Sequence, residues 1–156
     1  MVRKPLWEML RDQSSLSADG HHGLDHWVRV LANGRKLAEV TGANLVVVEL
    51  FAAFHDTRRL NEGYDPEHGV RAAAFAKEMR GHWFDLDDHE MNLLVGACEQ
   101  HSDGLIDADI TVQTCWDADR LDLGRVGIVP DPRYLCTDAA KEPWMIEWAH
   151  IRAMKI

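Results

Sequence analysis

His55 and Asp56 stand side by side where an almost wholly apolar run, Leu45 to Phe54, gives way to Thr57-Arg58-Arg59. Neighbouring residues on a helix point about 100° apart, so a His-Asp pair ordinarily serves two different partners. The pair can share one cation only where the helix ends and the ion sits beyond its last turn. The polar exit after Asp56 fits such an ending. Two more segments offer donors. His26, in Asp25-His26-Trp27-Val28-Arg29-Val30, lies on the stripe continued by Val30, Gly34 and Leu37. In Cys115-Trp116-Asp117-Ala118-Asp119-Arg120-Leu121-Asp122, helical geometry puts Asp117 on a face with Arg120, Leu121 and Gly124, with Asp119 nearly opposite. A carboxylate on an apolar face must be paired or metal-bound, because burying an isolated charge is costly. The expectation is therefore an inward Asp117, with Asp119 and Asp122 solvated or at most supporting a ligand through a hydrogen bond.

A His on an early helix, then His-Asp, then a late Asp resembles the HD-domain superfamily of metal-dependent phosphohydrolases. The blocks HGLDHWVRV, FAAFHDTRRLNEGYDPEHGVRAA and CWDADRLDLGRVG are similar to the motif blocks of small bacterial HD proteins and span about residues 20–137. The resemblance implies an all-α bundle of the HD type and an enzyme, a phosphohydrolase cleaving a small phosphate ester such as a nucleotide. It implies metal ligands His26, His55, Asp56 and Asp117, holding one ion per chain. Mixed imidazole and carboxylate donors suit Mn²⁺, Fe²⁺, Co²⁺, Ni²⁺ or Zn²⁺ better than Mg²⁺. Such an ion acidifies a bound water and polarises the phosphoryl group. Asp56 or Asp117 would accept the proton, and Arg58, Arg59 and Arg120 would neutralise phosphoryl charge, with Arg59 the arginine expected nearest the reaction.

Some branches of that superfamily add two histidines and a second ion. The candidates here are His68 and His101, which serve otherwise as contacts for the substrate phosphate. Such a centre would also admit a second activity, a dinuclear iron oxygenase. A third reading is a binding module that keeps the metal as a structural pin. His68 lies only twelve residues past Asp56, and the Gly-Tyr-Pro signature of the cyclic-dinucleotide branch is absent, which argues against that substrate. His22, one helical turn before His26, could line the pocket. His21, His82, His89 and His150 sit among polar neighbours and read as surface residues, and Cys115 reads as a packed thiol.

The elements that must position these groups follow from periodicity and punctuation. Helices are expected over Leu6–Gln13, Leu24–Thr41 with Gly42 as its stop, Ala43–Asp56, Glu67–Arg80 closed by Gly81, and from an Asp85 cap to about His101. A further helix spans Ile110–Leu123, and a last one, about 138–153, carries Trp144, Met145, Trp148 and Ile151. That last helix covers the core or forms a homodimer contact. Ser14–Gly23 and Asn61–Pro66 read as loops, and no stretch alternates as a strand would.

At 156 residues the chain fits one domain, large enough to bury roughly 70% of its unfolded surface without staples. Seventeen basic against 26 acidic residues give a net charge of −9, which excludes a broad grip on long nucleic acid. Three cysteines without a C-x-x-C motif disfavour a disulfide framework or a cysteine zinc site. They fit a reducing, cytoplasmic setting. The N-terminal stretch meets Asp12 before an apolar run develops, so neither a signal peptide nor a membrane partner is expected. Walker A, dinucleotide-binding and G-x-S-x-G patterns are all absent.

Overall fold

A computed structural model describes residues 4–155. It is all-helical. The helices are α1 (Lys4–Gln13), α2 (Leu24–Thr41), α3 (Leu45–Phe54), α4 (His68–Met79), α5 (Asp88–Gln100), α6 (Ile110–Arg120), α7 (Asp138–Lys141) and α8 (Pro143–Met154). Short 3₁₀ turns at Leu123–Val126 and Pro132–Tyr134 connect α6 to α7. Among the described residues the only strand-like pairing is one bridge between Arg80 and Phe84. No described helix is long and apolar enough to cross a membrane.

The central helix is α3. Every residue from Val47 to Phe54 is buried, which explains a sequence apolar on all sides. It packs against α2, α5 and α6, while α4 packs mainly on α5, and α8 on α2 and the first 3₁₀ turn. The Val46-Val47-Val48 run is helical despite its strand propensity, because Asn44 caps the helix by accepting from the Val47 amide at 3.2 Å. Buried Glu49 is paired with Arg35. The α2–α3 approach is close: a Cβ on Gly34 would lie 2.4 Å from Val48 Cγ1.

Helix stops follow the punctuation. Gly42 and Gly81 adopt φ of 74° and 83°, conformations that favour glycine. Several boundaries differ from expectation, three of them for a plain physical reason. Asp87, not Asp85, caps α5, because Glu90 reaches back to the Asp87 amide and completes a reciprocal capping box. Asp85 is followed three residues on by Asp88, whose side chain is one methylene shorter. The α6 helix ends at Arg120, and the chain tightens into a 3₁₀ turn instead of continuing to Leu123. The last helix is broken in two by Pro143, which starts α8 after the short α7. In α8, Met145 and Ala149 are buried and Trp144 is half exposed, while Trp148 packs beside the core and carries Lys36 over its ring.

The helix directions decide where chemistry can occur. His26 is in the first turn of α2, His55 and Asp56 follow the last turn of α3, and His68 begins α4. His101 caps the end of α5, and Asp119 is in the last turn of α6. These five helix ends meet at one end of the bundle. The opposite end is pinned by the Asn44 amide donating to Thr111 Oγ1 (3.0 Å), by the Thr41–Thr114 hydroxyl pair (3.0 Å), and by Asn44 Nδ2 donating to Glu90 (2.8 Å). The segment after His101 therefore returns along the bundle before α6 begins.

Candidate metal centre

Asp56 is the hub of the site. Its Oδ2 lies 3.3 Å from His26 Nε2 and 3.4 Å from His55 Nε2. Its Oδ1 lies 3.3 Å from His68 Nε2 and 3.4 Å from His101 Nε2. Asp119 Oδ1 completes the first group, 3.1 Å from His26 Nε2 and 3.5 Å from His55 Nε2. Donors each about 2.1 Å from one ion stand roughly 3.0–3.4 Å apart, the separation found here. Two groups, His26-His55-Asp56 and Asp56-His68-His101, are thus able to hold a metal ion.

The hydrogen bonds on the far side of each ring fix its tautomer. His55 Nδ1 faces the carbonyl oxygens of Phe51 (3.1 Å) and Ala52 (3.2 Å), His68 Nδ1 that of Asp65 (2.6 Å), and His101 Nδ1 that of Cys98 (2.8 Å). A carbonyl only accepts, so each Nδ1 carries the proton and each Nε2 presents a lone pair. His26 Nδ1 donates to Asp122 Oδ2 at 2.7 Å. The Nε2 atoms then face one another at 3.1 Å (His26–His55) and 2.9 Å (His68–His101). Lone pairs at that distance repel unless a proton or a cation lies between them. Asp119 Oδ1 is buried and without a hydrogen-bond partner, a group native interiors rarely leave unsatisfied. The donor set therefore fits a divalent transition metal.

Electrostatics agree. Burial and Arg125 act to lower the His26 pKa, but the Asp119, Asp122 and Asp56 carboxylates outweigh them and push it up to about 10. Without metal, a proton on Nε2 takes the place of the ion. Burial would raise Asp56, yet the imidazoles of His55, His101, His26 and His68 around it hold it well below the usual carboxylate range. Asp119 is also pushed up by burial and drawn well below normal by His26 and His55. Both carboxylates are ionised and ready to ligate. Asp119 keeps 15% of its side chain in solvent against 3% or less for the other five groups, so the site opens on its side.

Asp117 is not part of this cluster, a correction to the sequence reading. Its carboxylate accepts from the Cys136 amide (2.7 Å), the Thr137 amide (2.8 Å) and the Thr137 hydroxyl (2.8 Å). Burial pushes its pKa up. The helical-wheel argument assumed one inward face, but α6 is buried from Thr111 to Ala118 on nearly every side. Asp117 meets the returning tail, and Asp119 on the opposite side meets α2 and α3. Nor is Asp122 solvated: it is fully buried beneath His26. Its spacing from Asp119, one helical turn, was the signal available in the sequence.

The arginines separate as well. Arg59 reaches the site: its Nε is buried, lacks a hydrogen-bond partner and lies 3.5 Å from Asp56 Oδ1, while Nη1 donates to the Asn61 and Gly63 carbonyls. Arg58 turns away and stacks on Phe75, 3.6 Å from the ring centre, with Nη2 toward Gln13. Arg120 donates to the Tyr134 carbonyl (3.1 Å) and Cys136 Sγ (3.4 Å), the side of α6 remote from Asp119. His22 sits at the rim, its ring 6.2 Å from that of His26 and its Nδ1 3.1 Å from Glu62. Cys115 and Cys98 are buried thiols whose pKa values burial raises, so neither is a nucleophile. Comparison with protein-family models, curated proteins and solved structures finds no match for the chain.

Proposed function

We propose that this chain is a metal-dependent phosphohydrolase acting on a small phosphate ester, with His26, His55, Asp56 and Asp119 holding one divalent ion and Asp56, His68 and His101 a second. The observation that carries the proposal is the convergence of four tautomer-fixed Nε2 atoms on the two oxygens of Asp56. The metal would supply Lewis acidity toward the phosphoryl group and an acidified water. The remaining work falls to the side chains around it. Arg59, with an unsatisfied Nε beside Asp56, is placed to neutralise phosphoryl oxygens. Asp119, on the open side, ligates without obstructing entry, and His22 with Glu62 borders the rim. Arg58 lies on Phe75 and Arg120 against Tyr134 and Cys136, so of the three only Arg59 stands beside Asp56 to form the anion site.

The test is turnover of a panel of nucleotides and sugar phosphates by protein loaded in turn with Mn²⁺, Fe²⁺, Co²⁺, Ni²⁺ and Zn²⁺. Hydrolysis by the wild type, abolished in His55→Ala and Asp119→Ala but retained in folded Asp117→Ala, is the expected result. Equal turnover in Asp119→Ala would refute the assignment. The buried His68–His101 pair on the second Asp56 oxygen also favours a second reading, a dinuclear iron oxygenase. Anaerobic iron loading followed by oxygen exposure separates the two: an optical or Mössbauer change coupled to substrate oxidation supports the oxygenase. Phosphate release that is indifferent to oxygen supports the hydrolase.

A further inference from the structure

We propose that Asp122 is the positioning residue that keeps the Nε2 of His26 free to bind metal, and that Arg29 enforces this arrangement. The inference rests on the reading that His26 is a metal ligand. Asp122 is fully buried and uses its two oxygens on two donors. Oδ2 accepts from His26 Nδ1 at 2.7 Å, and Oδ1 accepts from Arg29 Nε at 2.7 Å. Arg125 supports the carboxylate from 3.9 Å and donates to the Asp122 carbonyl at 2.8 Å. Its Nε also holds the His21 carbonyl at 2.7 Å, tying the turn to the rim of the site. One turn of chain thus serves both sides of a single imidazole: Asp119 approaches Nε2 and Asp122 holds Nδ1–H.

His26 differs here from its three companions. Their Nδ1 protons are held by backbone carbonyls, which no substitution of a side chain removes. That of His26 depends on one carboxylate. Arg29 Nε can only donate, so whatever stands at position 122 must offer it an acceptor. An asparagine there would turn its carbonyl to Arg29 and its NH₂ to His26. Nδ1 would then have to accept, and its proton would move to Nε2, where it blocks coordination. The same logic governs the carboxylate that orients a catalytic imidazole in serine proteases.

The experiment is a Co²⁺ and Zn²⁺ titration of metal-stripped full-length protein against a chromophoric chelator, for wild type, His26→Ala, Asp122→Asn, Arg29→Gln and the double variant Arg29→Gln/Asp122→Asn. Asp122→Asn should weaken the site about 10–100-fold, the usual range for such supporting groups. Glutamine places its amide where Arg29 carries Nε and can accept from the Asn NH₂. The asparagine carbonyl is then free for His26, and the double variant should regain at least about tenfold over Asp122→Asn alone. A merely structural role gives a double variant as weak as the single one or weaker, and overturns the proposal. So does unchanged affinity in Asp122→Asn. If that variant does not fold, long-range ¹H–¹⁵N correlation of Zn²⁺-loaded wild type decides, since protonation of His26 at Nε2 instead of Nδ1 overturns the proposal. Affinity unaffected by His26→Ala, or no binding by wild type, overturns the ligand assignment itself.

Discussion

Replacing Gly69 with alanine should damage half of the metal centre while leaving the other half intact. Gly69 follows His68 on α4 and faces α5, where an added Cβ would lie 2.4 Å from the Cys98 carbonyl oxygen and 3.1 Å from that of Glu99. Ordinary contact begins near 3.4 Å, so the helices must separate locally by about 1 Å. The Cys98 carbonyl cannot turn aside, because it belongs to the α5 backbone and accepts the Nδ1 proton of His101 at 2.8 Å. Separation therefore pulls apart the Nε2 atoms of His68 and His101, now 2.9 Å from one another. In an unobstructed helix interior Gly→Ala stabilises by about 1 kcal/mol, but Gly69 is the second residue of α4, where that gain is smaller. Overpacking costs about 1–3 kcal/mol, so the net result is a loss of up to about 3 kcal/mol, or a melting temperature lower by up to about 6–12 °C for a chain of this length. Elemental analysis after Zn²⁺ or Mn²⁺ loading, with thermal unfolding of the metal-free protein, reads both effects. The expected outcome is one ion per chain where the wild type holds two, in a slightly destabilised protein. A variant that melts higher and keeps the wild-type metal content would refute the reasoning.

Asp117→Ala and Asp119→Ala should have opposite signatures. The first strands the Cys136 and Thr137 amides and should cost about 2–6 kcal/mol in chemical denaturation, at about 1–3 per unsatisfied buried group, with metal binding kept. The second should abolish binding at the His26–His55 group and spare most of the stability. Because His26 is raised to about 10, it is protonated near neutrality in the metal-free protein, and loading must expel that proton. Apparent affinity should rise by up to about tenfold per pH unit between pH 6 and 9, with about one proton released in calorimetry across buffers of different ionisation enthalpy. The sign for folding is opposite: a raised imidazole pKa stabilises the metal-free protein fully below about 6.5 and progressively less toward about 10, so its denaturation midpoint should fall over that interval. A pH-independent midpoint would contradict the buried carboxylate contacts. Finally, Arg59→Ala should weaken competitive inhibition by inorganic phosphate at least tenfold, whereas Arg58→Ala should lose about 0.5–1 kcal/mol of stability from its stacking on Phe75 and leave that inhibition constant near the wild-type value.

Much of the architecture was legible in the chain itself. Helical spacing of apolar residues, glycines at 42 and 81, and the all-round apolar Leu45–Phe54 run determined an all-helical protein with a buried central helix. His55 and Asp56 stood out at the end of an apolar run, whereas His26, His68 and His101 were picked out as donors only through the resemblance of the motif blocks. The choice between Asp117 and Asp119 was not legible. A helical wheel ranks faces by their own polarity, and α6 is buried on both sides, so the partner across each face decides. The tail amides at 136 and 137 claim one carboxylate, and the imidazoles of α2 and α3 claim the other. The roles of Arg58, Arg59 and Arg120 were undecided for the same reason, since a long flexible side chain takes its position from distant acceptors. Local sequence determines which groups are available and on which element they sit. Only the meeting of five helix ends decides which atoms come within reach of one ion.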